Sequence, residues 1–429
     1  MSDIEDVRRT ALPLTGEEDL DPLLERIGGA RCVLLGEASH GTHEYYAWRA
    51  AITRRLISEH GFSFVAVEGD WPDCWRVGRS VALASGAPGD PRQALDAYHR
   101  WPTWMWANDE TTEFCRWLRR HNEDLPERER VGFYGLDVYS LWESLRAVIL
   151  HLSEHRPEYL ETALAAYRCF EPHGEDPQAY AREIALAPDG CRQEVLDLLT
   201  DLRRAPPPDK ASGPVEELNA RQNAEVAAGA ERYYRAMIDG GPESWNVRDG
   251  HMADTLDRLL DFHGGKAVVW AHNTHVGDAR ATDMVRAGMT SLGRLARERY
   301  GTGNVALVGF AGGSGTVIAA PRWGATMDVM TVPPPRAGSL EALLTDAAPD
   351  RALFVPPSGR DCPSWLTRTL GHRAIGVVYD PGRDHHQFVP TRVAERYDAL
   401  CWIRDTSALR PLHLEAARRG ELETLPTGV

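Results

Sequence analysis

What most restricts the folds open to this chain is a recurring unit. A short, continuously apolar run stops on an ionisable residue, and a polar or glycine-rich loop and then a helical pattern follow. "VLLGE" ends at Glu37, "FVAVE" at Glu68, "FYGLD" at Asp137 and "AVVWAH" at His272. Further strand-like runs cover 304–320, 351–357, 374–380 and 397–403. Strands without polar alternation, separated by helices, predict an α/β fold with a mostly parallel central sheet flanked by helices. The carboxyl ends of parallel strands share one edge, and ligands bind in the crevice there. Four strands distant in sequence thus deliver two glutamates, an aspartate and a histidine to one place.

Residues 141–262 break the alternation. "LRAVILHLSEH", "YLETALAAYRCF", "QEVLDLLTDLRR" and "NAEVAAGAERYYRAMI" are helical patterns with no strand between them, and "APPPDKASGP" at 205–214 is a loop. This block predicts a smaller helical subdomain beside the cleft, inserted between core halves at 1–140 and 263–429. The equally plain alternative is extra helices packed on the sheet. From about residue 405 the chain is expected to form a helix and a frayed end.

Composition narrows the class. The 429 residues are 43% hydrophobic and 26% charged, with 48 basic against 63 acidic side chains and a net charge of −15. That profile suits a soluble globular protein and argues against a nucleic-acid partner, which calls for a basic face. No run approaches a membrane span. The seven cysteines are odd in number and lack CxxC spacing, which disfavours a disulfide framework or a thiolate zinc site. The charged start "MSDIEDVRRTALPLTGEEDL" lacks an apolar signal region. A cytoplasmic protein is expected.

Around the strand ends lie further candidates. "GEASHGTHEYYAWR" adds His40, His43 and Glu44 behind Glu37, with Thr42 placed to cap the following helix. Arg49 lies two turns into that helix, and long helical side chains lean back toward the N-terminus, so its guanidinium can approach the crevice. A surface salt bridge is its bland alternative. In "AHNTH", His272 and His275 share a face if that turn is helical. Asp137 could instead cap the next helix. No GxSxG elbow, Walker A or GxGxxG motif is present. Histidine with carboxylate and arginine suits activation of water: the carboxylate orients the imidazole, general base action contributes about 10²–10⁴ in rate, and arginine stabilises an oxyanion. Glu37, His40, Glu68, His272 and His275 could equally ligate a hydrolytic metal with an open position.

"GEASHGTHEYY.WR", "VAVEGDWPDCWRV", "FYGLDVYSLWESL", "NVRDGHMADTL", "VVWAHNTHVGDAR", "GFAGGSGTVIAAPRWG" and "YDALCWIRDTSALRPL" resemble, in order, the blocks of the erythromycin esterase family, over about residues 30–415. The resemblance implies an α/β core with a helical lobe beside the cleft. It also implies metal-independent and cofactor-free hydrolysis of an ester or macrolactone, as in macrolide inactivation and antibiotic resistance, on a small-molecule substrate. By the same resemblance His40 is the general base, Glu37 its orienting partner, and Arg49, Glu68, His272 and His275 the remaining polar core. Arg49 or a histidine would serve the oxyanion, and His272 or His275 would protonate the leaving alcohol.

A macrolide needs a wide apolar cleft. The aromatic segment 98–109, with Trp101, Trp104, Met105 and Trp106, is its candidate wall, and Trp104, Trp106 and Asp137 are the candidate substrate contacts. The alternative for the aromatics is core packing. His385 and His386 either border the cleft or sit in a solvated loop. Two other functions fit the same acid–base groups: dehydration or cyclisation of a secondary metabolite, and non-catalytic sequestration of a hydrophobic molecule.

Overall fold

A computed structural model describes residues 2–174, 177–184, 190–204, 213–357 and 362–413. Eleven strands occur among them: β1 Leu12–Pro13, β2 Cys32–Leu35, β3 Phe62–Asp70, β4 Gly132–Asp137, β5 Lys266–Trp270, β6 Val305–Ala319, β7 Asp328–Val332, β8 Arg351–Phe354, β9 Leu370–Arg373, β10 Phe388–Thr391 and β11 Ala399–Thr406. The main sheet runs β1-β8-β11-β6-β2-β5-β3-β4, with β7 hairpinned onto β6. The six strands from β11 to β4 are parallel to one another, and β1, β8 and β7 pair antiparallel. This is the mostly parallel α/β sheet that the apolar runs predict.

Helices cover both faces. Val33, Leu35, Val65 and Val67 pack against Ile52 and Leu56 of the helix His43–His60 on one side. Leu34, Phe64, Ala66 and Val269 pack against Met252, Leu256 and Leu260 of the helix Glu243–His263 on the other. The alternating inward residues of one strand thus feed two separate cores, which is why the runs read as continuously apolar.

Helices between 141 and 239 bury a third cluster of their own, including Leu145, Leu152, Phe170, Leu198 and Tyr233. The helix Glu243–His263 instead lies on the sheet. A disulfide joins Cys169 to Cys191 within the helical block, a pairing that the scattered cysteines do not advertise. Most of the loop at 205–214, namely 205–212, lies outside the described residues.

Two expected elements differ. Residues 374–380 form no strand, only isolated bridges from Ile375 to Ser39 and from Val378 to Ala320. The run is apolar because it is pressed against the end of β6 rather than inserted in the sheet. The segment after 405 is not helical where described. β11 continues to Thr406, and Ala408 and Pro411 bridge to Thr42 and Asn108; 414–429 lie outside the described residues.

Candidate active site

β2 stops at Leu35 because Gly36 and the turn after it must pass unusually close to other chain segments. A Cβ on Gly36 would come within 2.1 Å of Asn273 Oδ1, and one on Gly41 within 1.9 Å of the Ile318 carbonyl oxygen. Between these glycines the turn presents Glu37 and His40. Thr42 occupies the cap position of the next helix, without a side-chain cap bond.

Glu37 Oε1 accepts from His40 Nδ1 at 2.9 Å. Glu37 Oε2 lies 2.8 Å from Arg49 Nη2, with Arg49 wholly buried. The Arg49 guanidinium is also stacked by Tyr46 and Trp270, at 4.1 and 5.0 Å from their ring centres. Arginine, glutamate and histidine thus form a relay from core to cleft, and only His40 lines the cavity. Arg49 is therefore no surface ion pair, and it does not reach the crevice. The other ionisable groups of this turn go elsewhere: His43 Nδ1 meets Glu110 Oε1 at 2.6 Å, and Glu44 accepts from Ser407.

A second network surrounds Arg248, on the helix Glu243–His263. Its Nη2 donates to Glu68 Oε1 and to Asp137 Oδ2, both at 2.7 Å, and its Nε donates to Asp137 Oδ1 at 3.0 Å. Asp137 therefore clamps an arginine and caps no helix; Ser140 holds the cap position instead. Glu68 Oε2 accepts the His272 backbone N–H at 2.8 Å. Burial alone favours a neutral Glu68, but His275, Arg248 and His40 outweigh it and hold the carboxyl well below its usual range.

The two histidines of "AHNTH" play different parts. His272 Nδ1 accepts the Thr274 N–H at 3.3 Å, with Thr274 Oγ1 at 2.8 Å from the same nitrogen. The ring hydrogen therefore sits on Nε2, which has no protein partner. Its ring centre is 4.8 Å from that of His40. Burial, and then the neighbouring His40, push His272 well below the usual histidine pKa, so it stays neutral. His275 lies behind the cavity, stacked on Trp245 with its Nδ1 2.9 Å from Asp249 Oδ2. Burial opposes its protonation, but Asp249 and Glu68 prevail and raise its pKa to about 9. Its Nε2 lies 3.4 Å from Glu68 Oε1 and 3.2 Å from Arg248 Nη1: protonated it donates to the glutamate, neutral it accepts from the arginine. Among the described residues no group of three or more His, Cys, Asp or Glu side chains is arranged to hold a metal ion.

The cavity measures about 100 Å³. His40, Glu68, Asp137 and Arg248 line it together with Asp70, Asp73, Tyr98 and Arg100, and Trp101, Met105, Trp106, Tyr139 and Trp323 form its largely aromatic walls. Trp106 meets the cavity while its indole N–H donates to the Glu68 carbonyl at 2.9 Å. Trp104 does not; it is 2% exposed and belongs to the core. His385 and His386 are exposed and line no part of the cavity. Sequence reasoning singled out neither Arg248 and Asp249 nor Asp70 and Arg100. For the first pair a signal exists: each falls four residues before an apolar position, Met252 and Ala253 respectively, on the buried stripe of an amphipathic helix, where charge is out of place.

Comparison with known proteins agrees with this architecture. The family model described as erythromycin esterase matches residues 57–406. YbfO of Bacillus subtilis (strain 168), whose naming as a hydrolase is itself provisional, is 22% identical over 92% of this chain and 89% of its own. The crystal structure of a succinoglycan biosynthesis protein superposes with a TM-score of 0.78 at 21% identity, covering 95% of this chain and 97% of that one. A histidine-to-asparagine mutant of the erythromycin esterase EreC, in its open conformation, superposes with a TM-score of 0.68 at 16% identity, covering 91% and 95%. No helix among the described residues is long and apolar enough to cross a membrane.

Proposed function

We propose, from the premise that this chain belongs to the erythromycin esterase family, that it hydrolyses a carboxylic ester or lactone with water activated by His40. The observation that carries the reading is the Arg49–Glu37–His40 relay. With Nδ1 committed to Glu37, the free Nε2 of His40 is the basic nitrogen, and His40 is the member of the relay on the cavity wall. Glu37 fixes the ring orientation and stabilises the imidazolium that forms when water gives up its proton. Arg49 pairs with Glu37 and fixes its position but is too deep to touch substrate.

Oxyanion stabilisation falls to groups nearer the reacting carbonyl. Arg248 lines the cavity as a guanidinium locked by three acidic oxygens, whereas the neutral His272 packs on His40 with its Nε2 buried and is not part of the cavity lining. Donors held in place before reaction need no reorganisation when charge develops. Glu68 and Asp137 hold Arg248, and His275 with Asp249 backs the same network.

The substrate proposal is a lactone or ester of a small molecule, with macrolides the first class to try and a part in antibiotic resistance following from success there. A cavity of about 100 Å³ is below the roughly 300–1,000 Å³ of drug-sized sites, so a macrolide requires the aromatic walls to part. A cytoplasmic location belongs to the same proposal.

The test is mass spectrometry of products after incubating chelator-treated protein with macrolides and simpler lactones, alongside His40→Asn. A product heavier by one water, lost in the variant, supports the reading. A product of unchanged or lower mass indicates cyclisation or dehydration instead. Turnover that returns only with added divalent metal rejects water activation by His40 alone.

A further inference from the structure

An alkyl ester or lactone leaves a strongly basic alkoxide, which needs a proton as the C–O bond breaks. The histidines expected to supply it are unsuited: His275 faces Arg248 and Glu68 rather than the cavity, and the neutral His272 is a feeble acid. Among cavity carboxyls, Glu68 has one oxygen on Arg248 and the other on the His272 amide. Both oxygens of Asp137 are taken by Arg248, and Asp73 is paired with Arg76.

Asp70 is different. It ends β3, just after an irregularity in the β3–β4 register between Val67 and Asp70, and the residues so displaced, Glu68, Gly69 and Asp70, all line the cavity. Such irregularities re-aim side chains beside active sites. Its Oδ2 lies 2.7 Å from Arg100 Nε, while the buried Oδ1 has no protein partner. One oxygen thus sits beside a guanidinium, and the other is left without a partner on a residue of the cavity wall.

Resting on the hydrolase reading above, we propose that Asp70 is the catalytic acid that protonates the leaving alkoxide. Water loses a proton to His40 Nε2 as its oxygen bonds to the carbonyl carbon, and the carbonyl electron pair moves to oxygen. When that pair returns, the C–O bond breaks and its electrons leave with the alkoxide, which takes the proton from Asp70 Oδ1. Asp70 is left ionised beside Arg100, and the proton on His40 returns to it through solvent.

The surroundings support a carboxyl that keeps its proton near neutrality. Burial, aided by Asp73, Asp137 and Glu143, outweighs Arg100 and raises the Asp70 pKa to about 7. Arg100 is itself shared with Glu143, 3.1 Å away. Tyr98, on the cavity wall, and Tyr234 are held well above the usual phenol range mainly by burial and stay neutral.

The experiment compares Asp70→Asn with wild type on two esters of one acid. A para-nitrophenyl ester expels a stable phenolate that needs no proton; an ethyl ester expels ethoxide, which does. The expected result is a loss of kcat/KM of about 10²-fold or more on the ethyl ester and less than about threefold on the aryl ester. Equal losses on both, or none on either, overturn the proposal. A wild type inactive on both esters rejects the hydrolase reading, and the proposal with it.

Thermal melting supplies a readout independent of turnover. The folded Asp70 pKa lies above its unfolded value, so the native state holds the extra proton and loses stability as pH rises through about 7. Asn carries no such penalty. The melting temperature of Asp70→Asn relative to wild type must therefore climb between pH 5 and pH 8; a constant difference overturns the proposal.

Discussion

At the scale of single residues, the site is governed by which charges are buried and what holds them. Glu37 is 1% and Arg49 0% exposed, so neither ion is supported by water. Arg49→Met leaves the Glu37 carboxylate buried without its partner and is expected to cost about 3–5 kcal/mol, read as a fall in melting temperature. Arg49→Lys keeps the charge but not the planar stack between Tyr46 and Trp270. Displacing Glu37 by even about 1 Å is expected to lower kcat on the order of 10²-fold with KM little changed. A full kcat in Arg49→Lys would show that the relay does not orient His40.

The same scale explains what could be read in advance. Glu37, Glu68, Asp137 and His272 were legible because a charged residue ending an apolar run is conspicuous. Arg248 and Asp249 sit mid-helix, where a charge is ordinary until the buried stripe is known. Trp104 and Trp106, alike in sequence, fall inside and at the end of one short 3-10 turn, and only Trp106 reaches the cavity, which no pattern specifies.

Secondary elements contribute reach and constraint. The parallel strands were recognisable from their two-sided burial. The bridged segment 374–380 was not, since apolar pressure against β6 looks the same as insertion beside it. The run of helices between 141 and 239 was legible as helices, the disulfide within it less so. The Cys169–Cys191 disulfide ties the end of the helix Leu160–Phe170 to the residue preceding Arg192–Arg204, across 22 positions. Loop-closure entropy for such a span is worth about 3 kcal/mol. Cys169→Ser with Cys191→Ser should therefore lower thermal stability noticeably. Turnover at low temperature should hardly move, because neither cysteine borders the cavity. Wild type under a thiol reductant should reproduce the variant's melting curve; an unchanged curve would mean the bond adds nothing to the lobe.

Across the whole molecule, the sheet edge supplies chemistry and the surrounding loops supply shape. Trp101 and Trp323 meet across the cavity with ring centres 4.6 Å apart, and Trp101 Nε1 donates to the Ala325 carbonyl at 3.1 Å. These contacts link two stretches far apart in sequence and hold the walls together. Trp323→Ala should widen the opening and raise kcat/KM for a bulky lactone relative to a small ester by about tenfold, measured by competition between the two. A ratio that stays constant would place the size filter elsewhere.

In the walls, Trp101 and Trp323 are held by each other and by the Ala325 carbonyl, whereas Glu37, Glu68, Asp137 and Arg248 are locked in buried ion pairs; Arg100 and Trp106 tie the wall to that floor at Asp70 and Glu68. The two parts therefore differ in how freely they can vary. Substitutions in the floor disturb folding and reaction together; those at Trp101 and Trp323 alter which molecule enters, while Arg100 and Trp106, tied to Asp70 and Glu68, bear on the proton transfers as well. A lineage built this way can exchange one substrate for another through loop changes alone, so kinship of the floor foretells the reaction, and only the walls foretell its target.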